Sequence, residues 1–110
     1  MKIKVRGDYE CPAVWWDESG DPDKIGPIEV GELQLPSKLV SQLDAWADEF
    51  TATYHNENPV RFEWPSQKAY RLWLERGAAL TVSLQQHLGT LASVRYFHIA
   101  ELERVRRKPD

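Results

Sequence analysis

Residues 36–54, PSKLVSQLDAWADEFTATY, decide how this chain is read. Leu39, Val40, Leu43, Trp46, Ala47, Phe50 and Tyr54 recur at intervals of three and four, the spacing that lays one stripe of an α-helix against a core. Gln42, Asp44, Asp48 and Glu49 fall on the wet side, and Ser37 stands in the N-cap position. Residues 66–89, SQKAYRLWLERGAALTVSLQQHLG, repeat the pattern with an inner stripe of Ala69, Trp73, Gly77, Leu80, Leu84 and Leu88. Ser66 caps this second helix and Gly89 supplies the left-handed residue that ends it. Glycine inside a helix costs about 1 kcal/mol against alanine, so Gly77 implies the close approach of another element.

Outward from these helices the period changes to two. Ile3, Val5 and Tyr9 alternate with Lys2, Lys4, Arg6 and Asp8, which reads as a half-buried strand. Ala13 to Trp16 forms a second short extended piece. Ile28 and Val30, then Leu33 and Leu35 with the phase shifted across Gly31 and Glu32, read as a bulged strand. Set beside the first strand, Glu29 and Glu32 would face Lys2, Lys4 or Arg6. HNENP is a turn leading to RFEWP. SVRYFHIA, residues 93–100, is β-branched and aromatic on both faces, as suits a strand near the middle of a sheet. The charged tail from about residue 101, ELERVRRKPD, is expected outside the core. The sum is a single α+β domain over residues 1–110: a small mixed or antiparallel sheet of three to four strands with two amphipathic helices packed on one face.

No apolar run approaches the roughly 20 residues of a membrane helix, and MKIKVRGDYE lacks the apolar centre of a signal peptide, so the expected location is cytoplasmic. Cys11 is the single cysteine, which excludes an internal disulfide and leaves no second thiolate for a zinc site. The net charge of −3 is unevenly spread: residues 1–64 hold 6 Lys and Arg against 13 Asp and Glu (−7), and residues 65–110 hold 8 against 4 (+4). An acidic half repels nucleic acid and attracts a basic protein.

Within CPAVWWDESGDPDKIG, residues 11–26, two adjacent tryptophans precede a run of acids in a segment that cannot be regular helix. Asp17, Ser19, Asp21 and Asp23 superficially match the start of a calcium loop, but Pro22 and Ile28 stand where it needs glycine and a bidentate glutamate. The same glycines are flanked by acids that would repel phosphate. His55, His87 and His98 show no metal-ligand spacing, and no nucleophile, base and orienting group can be assigned together. No catalytic residue, metal or cofactor is therefore expected. Trp15 and Trp16, neighbours in an extended segment, point to opposite sides, so that burying one exposes the other. A tryptophan anchor ringed by acids suits recognition of a cationic protein. The expected contact surface is Trp15, Trp16, Asp17, Glu18, Asp21 and Asp23, extended by Asp44, Asp48 and Glu49 on the first helix. Two rival readings stand beside it. A basic, aromatic strand face of Lys2, Lys4, Arg6, Arg95, Tyr96 and Phe97, helped by the Arg-rich tail, would bind nucleic acid, against the overall charge. A metal-assisted hydrolase would use the acidic loop and a histidine.

YECPAVWWDESGD followed by LPSKLVSQLDAWADEF resembles small bacterial proteins with an opening strand, a Pro-x-x-Trp segment and an A-W-A-D-E-F-like helix. These are the immunity proteins of contact-dependent growth inhibition and related polymorphic toxin systems. The resemblance covers residues 1 to 75 and implies a non-enzymatic cytosolic protein that binds and neutralises a cognate toxin domain, often a nuclease. It carries no functional residue to a numbered position.

Overall fold

The structure, a computed structural model, describes residues 1–17, 21–55, 58–62 and 64–107. Strands β1 (Lys2–Val5) and β2 (Val14–Trp16) open the chain, and a 3-10 turn at Val30–Leu33 leads to helix α1 (Ser37–Thr51). A hairpin of β3 (Tyr54–His55) and β4 (Asn58–Phe62) precedes helix α2 (Gln67–Leu88). A second 3-10 turn (Gly89–Leu91), strand β5 (Ser93–Tyr96) and helix α3 (Ile99–Arg106) complete it. The main sheet runs in the order β2-β1-β5 and is mixed: β1 pairs antiparallel with β2 and parallel with β5. The expected α+β class holds.

Register assigns the two faces. Ile3 lies between Trp16 and Val94, and Val5 between Val14 and Tyr96, so these side chains turn to the helices. Ile3, Val5 and Val14 are completely buried. Lys4 lies between Trp15 and Arg95 and faces the other way. Alternation along three short strands thus makes one apolar and one cationic, aromatic face.

Helix α2 is the hub, packing on α1, α3 and β5. At the α1–α2 seam the rings of Trp46 and Trp73 stack at 4.3 Å, only 3° from parallel. The indole Nε1–H of Trp46 donates to the carbonyl of Trp73, and that of Trp73 donates to the carbonyl of Trp46, both at 2.9 Å. Two large apolar rings are buried here with both polar corners satisfied, which removes the usual cost of burying an indole N–H. Gly77 permits this approach, because a Cβ there would overlap the Tyr96 hydroxyl and the Trp46 ring. Ser66 caps α2 by accepting the Ala69 N–H at 3.0 Å, and Gly89 ends it with φ +56°.

Several expectations change. Residues 28–35 are not a bulged strand: only Pro27 bridges to Trp15, and the apolar phase shift across Gly31 is instead the 3-10 turn that buries Val30. The neighbours of β1 are β2 and β5, so Glu29 and Glu32 do not face Lys2, Lys4 or Arg6 across a sheet. Around the residues read as a turn leading to RFEWP, β3 and β4 pair antiparallel, Tyr54 with Phe62 and His55 with Asn58. Strand β5 is at the edge rather than the middle; its two apolar faces arise because Tyr96 enters the core while Phe97 packs under cations. The Gln85 side chain covers that edge, donating to Ala92 O at 2.8 Å and accepting from Val94 N–H at 2.8 Å, which guards it against pairing with another strand. The tail, finally, is helix α3. Leu102 is fully buried and Val105 packs against the core, an apolar pair at i, i+3 hidden among charges. Ser37 begins α1 rather than capping it, since Pro36 holds the N-cap position and no side chain caps the helix.

Candidate functional site

The expected contact residues divide into different surroundings. Trp15 and Trp16 do point to opposite sides: Trp16 packs on the core and Trp15 lies on the outer sheet face, each half-buried. Trp15 Nε1–H donates to Arg6 O at 3.2 Å, and the Lys24 ammonium sits 5.5 Å from the Trp16 ring. Asp17 is buried rather than presented. Arg95 grips its two carboxylate oxygens at 2.9 Å each, and Lys4 stands 3.9 Å away. The Arg95 hydrogen bonds hold its carboxyl below the usual carboxylate range, against the opposing effect of burial. The carboxylate of Asp21 accepts the Asp23 N–H at 2.9 Å, closing a local turn. Asp23 is exposed, and Glu18 lies outside the described residues. Glu49 forms a two-pronged pair with Arg76 across the α1–α2 seam. The loop therefore does not form a row of uncommitted acids.

Asp44 and Asp48 have different company. One turn apart on α1, both exposed, they line a groove of about 570 Å³ together with Glu10, Cys11, Pro12, Glu29 and Thr51. Four acidic residues thus line one concavity. Among the described residues none of the four is ion-paired, whereas Asp8, Asp17, Glu49, Glu75 and Glu103 each have a cation. The walls come from three elements. Asp44 and Asp48 ride on α1; Glu29 immediately precedes the 3-10 turn; Glu10 sits in the β1–β2 connection. Glu10 has φ +53°, a left-handed conformation that a residue with a side chain keeps only where its surroundings impose it. The Thr51 hydroxyl imposes it by accepting the Glu10 N–H at 2.9 Å, which ties the connection to the end of α1.

Cys11 lies at the groove wall, half-buried, and burial together with the nearby Asp8 charge pushes its thiol up, away from the reactive thiolate. Of the histidines, His55 is in β3, His87 is exposed on α2, and His98 is buried. His98 accepts the Gly7 N–H at Nε2 (3.0 Å), so its proton is on Nδ1, where it donates to Glu101 at 2.9 Å. Tyr70 donates to the other Glu101 oxygen at 2.5 Å. Burial would raise the Glu101 carboxyl, but these hydrogen bonds outweigh it and hold it low. This chain of contacts joins the β1–β2 connection, α2 and α3. Among the described residues no three His, Cys, Asp or Glu side chains stand together so as to hold a metal ion.

The Serratia CdiI immunity protein-like family model matches residues 1–99, from before β1 to the first residue of α3. The chain belongs to that family. The resemblance drawn from YECPAVWWDESGD and the α1 sequence thus names the right class of protein, and it extends beyond residue 75 to β5. No curated protein matches the chain significantly. Immunity is the role this membership supports, and the groove, α1 and both faces of the sheet all fall inside the matched residues. Among the described residues no helix is long and apolar enough to cross a membrane.

Two of the four groove acids, Asp44 and Asp48, were legible as the wet side of an amphipathic helix. Glu10 and Glu29 were not. Glu29 lay inside an alternation that mimicked a strand, and Glu10 gains its position from a hydrogen bond to Thr51, 41 residues away.

Proposed function

We propose that this immunity-family protein neutralises a cognate toxin domain by binding rather than by catalysis, with the acidic groove receiving a basic element of the toxin. The observation that carries this reading is the convergence of Glu10, Glu29, Asp44 and Asp48 around one groove without an ion-pair partner among the described residues. Elsewhere the chain supplies its acids with cations, as at Asp17, Glu49 and Glu75. Four like charges held together raise the local negative potential, speed encounter with a cationic surface and set its register. A nuclease, whose substrate groove must be positive, is the kind of toxin such a surface would cover, and the protein would act in the cytoplasm where that nuclease works. Asp21, Asp23 and the partly exposed Trp15 and Trp16 remain in the proposal as flanking contacts.

The test is co-expression with the C-terminal domain encoded by the neighbouring upstream reading frame. The wild-type chain is expected to restore growth and to form a 1:1 complex. An Asp44→Lys, Asp48→Lys variant that keeps its circular dichroism spectrum should lose at least about tenfold in affinity, with association slowed by added salt in the wild type. Full protection by that variant would remove the groove from the site.

A further inference from the structure

The outer face of the sheet is the second concentration of unlike chemistry on this molecule. Lys2, Lys4, Arg6 and Arg95 project there with Trp15 and Phe97, while the helices pack on the opposite face. The acids among them are Asp17, held by Arg95, and Asp8, 3.7 Å from Arg6, so among the described residues cations outnumber acids by two in this cluster. The arrangement is ordered: the Arg6 guanidinium lies 5.0 Å from the Trp15 ring and 4.6 Å from the Phe97 ring, and the Lys4 ammonium 5.6 Å from Phe97. A guanidinium already stacked between two rings has given up most of its rotamer freedom, so meeting a carboxylate costs it less than it would cost an unconstrained arginine.

We propose that this face is a second docking surface, taking carboxylate side chains of the same protein partner whose basic element enters the acidic groove, so that two opposite charges fix one orientation. The inference rests on the groove reading above. Continuity supports it. Arg6 and Glu10 are four residues apart in the β1–β2 connection, so their Cα atoms lie no more than about 14 Å from each other, well inside one standard protein interface. A partner covering the connection meets positive charge on one side and negative on the other, and a partner turned end for end meets like charge at both. Protein carboxylates fit the face better than nucleic-acid bases do. The ring faces that a base would stack on already carry cations, so stacking would first displace Arg6.

The test maps amide shifts of the full chain at low salt with three probes of similar charge: hexaglutamate, hexalysine and hexathymidylate. Hexaglutamate is expected to move the signals of Arg6, Trp15, Arg95 and Phe97, and hexalysine those of Glu10, Glu29, Asp44 and Asp48. Arg6→Gln should weaken hexaglutamate about tenfold and leave hexalysine unchanged, whereas Arg107→Gln, at an exposed site just past the end of α3, should alter neither. Arg6→Lys, which keeps the charge and the fold but not the planar stack, should fall between. Hexalysine bound at the groove with hexaglutamate bound nowhere, or bound equally well by Arg6→Gln, overturns the sheet-face inference alone. Failure of hexalysine overturns the groove reading on which it rests. Tighter binding of hexathymidylate than of hexaglutamate would assign the face to nucleic acid instead.

Discussion

The α1–α2 seam and the acidic groove share a helix and differ in how their polar groups are answered. At the seam, Trp46 and Trp73 satisfy each other's indole N–H and carbonyl, and the Tyr96 hydroxyl donates to Leu74 O at 2.8 Å. Among the described residues no fully buried side-chain nitrogen or oxygen lacks a partner. On the side of α1 that lines the groove, Asp44 and Asp48 share the lining with Glu10, Glu29 and a half-buried thiol, and with no Lys or Arg. A surface that answers itself stabilises the fold. A surface lined by four acids without ion-pair partners among the described residues does not, and on the proposed reading it keeps that charge for a partner. On that reading the contrast separates residues kept for folding from residues kept for recognition, and it can be broken by substitution.

The largest effect belongs to the seam. Trp73→Ala removes the ring stacked on Trp46 and leaves the Trp46 carbonyl without its donor in the core, for an expected loss of about 3–5 kcal/mol, enough to unfold a marginal domain. Chemical denaturation measures it; a loss under 1 kcal/mol would mean that the seam does not organise the fold. Gly77→Ala comes next. Alanine gains about 1 kcal/mol in helix propensity, yet its Cβ meets a ring locked in a stack and a hydroxyl locked in a hydrogen bond, neither able to retreat. Overpacking of this sort costs about 1–3 kcal/mol, so the net sign should be destabilising.

The seam was also the part of the molecule that could be read directly. Trp46 and Trp73 declare themselves by helical spacing, Gly77 by its cost, and Ser66 and Gly89 by their chemistry at helix ends, because all of these are local. The strand that was wrongly expected at 28–35 shows where local reading fails: alternation of Ile28 and Val30 satisfies a strand and a 3-10 turn equally, and the segment leaves the edge of β2 after the single bridge at Pro27 to wind into the turn. The α3 helix was masked in the same way, since Leu102 and Val105 are too few to outweigh five surrounding charges in composition. For the site, the acids were visible as charge but not as geometry. Which carboxylates keep a cation and which do not depends on Arg95 reaching Asp17 across 78 residues and Arg76 reaching Glu49 across 27.

Asp17 sharpens the comparison from the acidic side, because it is an acid that belongs to the fold. Its carboxyl is held low by Arg95, so its folded-state pKa lies below the unfolded value of about 4. The stability it contributes is therefore present above pH 4 and lost as pH falls through the folded value. Asp17→Asn should cost about 1 kcal/mol at neutral pH, discounted because Arg95 is half-exposed, and the gap from wild type should be narrower at pH 3. Denaturant midpoints at the two pH values decide it; a gap that persists in acid would show that the side chain acts through shape rather than charge.

The smallest effect has the opposite sign. Asp44 and Asp48 stand at i, i+4 on one helix with Glu10 and Glu29 opposite, a like-charge arrangement that costs a few tenths of a kcal/mol and weakens with salt. Asp44→Asn with Asp48→Asn should leave the fold unchanged or raise its stability by up to about 0.5 kcal/mol, with the gain vanishing at high salt, while affinity for the toxin domain falls. Thermal melts at two salt concentrations, run beside binding measurements, test both halves together. If the double variant is instead destabilised, these acids serve the fold, and the distinction between the seam and the groove collapses. If it is stabilised and still binds, the groove bears a charge strain that recognition does not explain. Only the pairing of a steadier fold with a weaker complex fits a surface whose carboxylates are kept apart from the chain's own cations for use by another molecule.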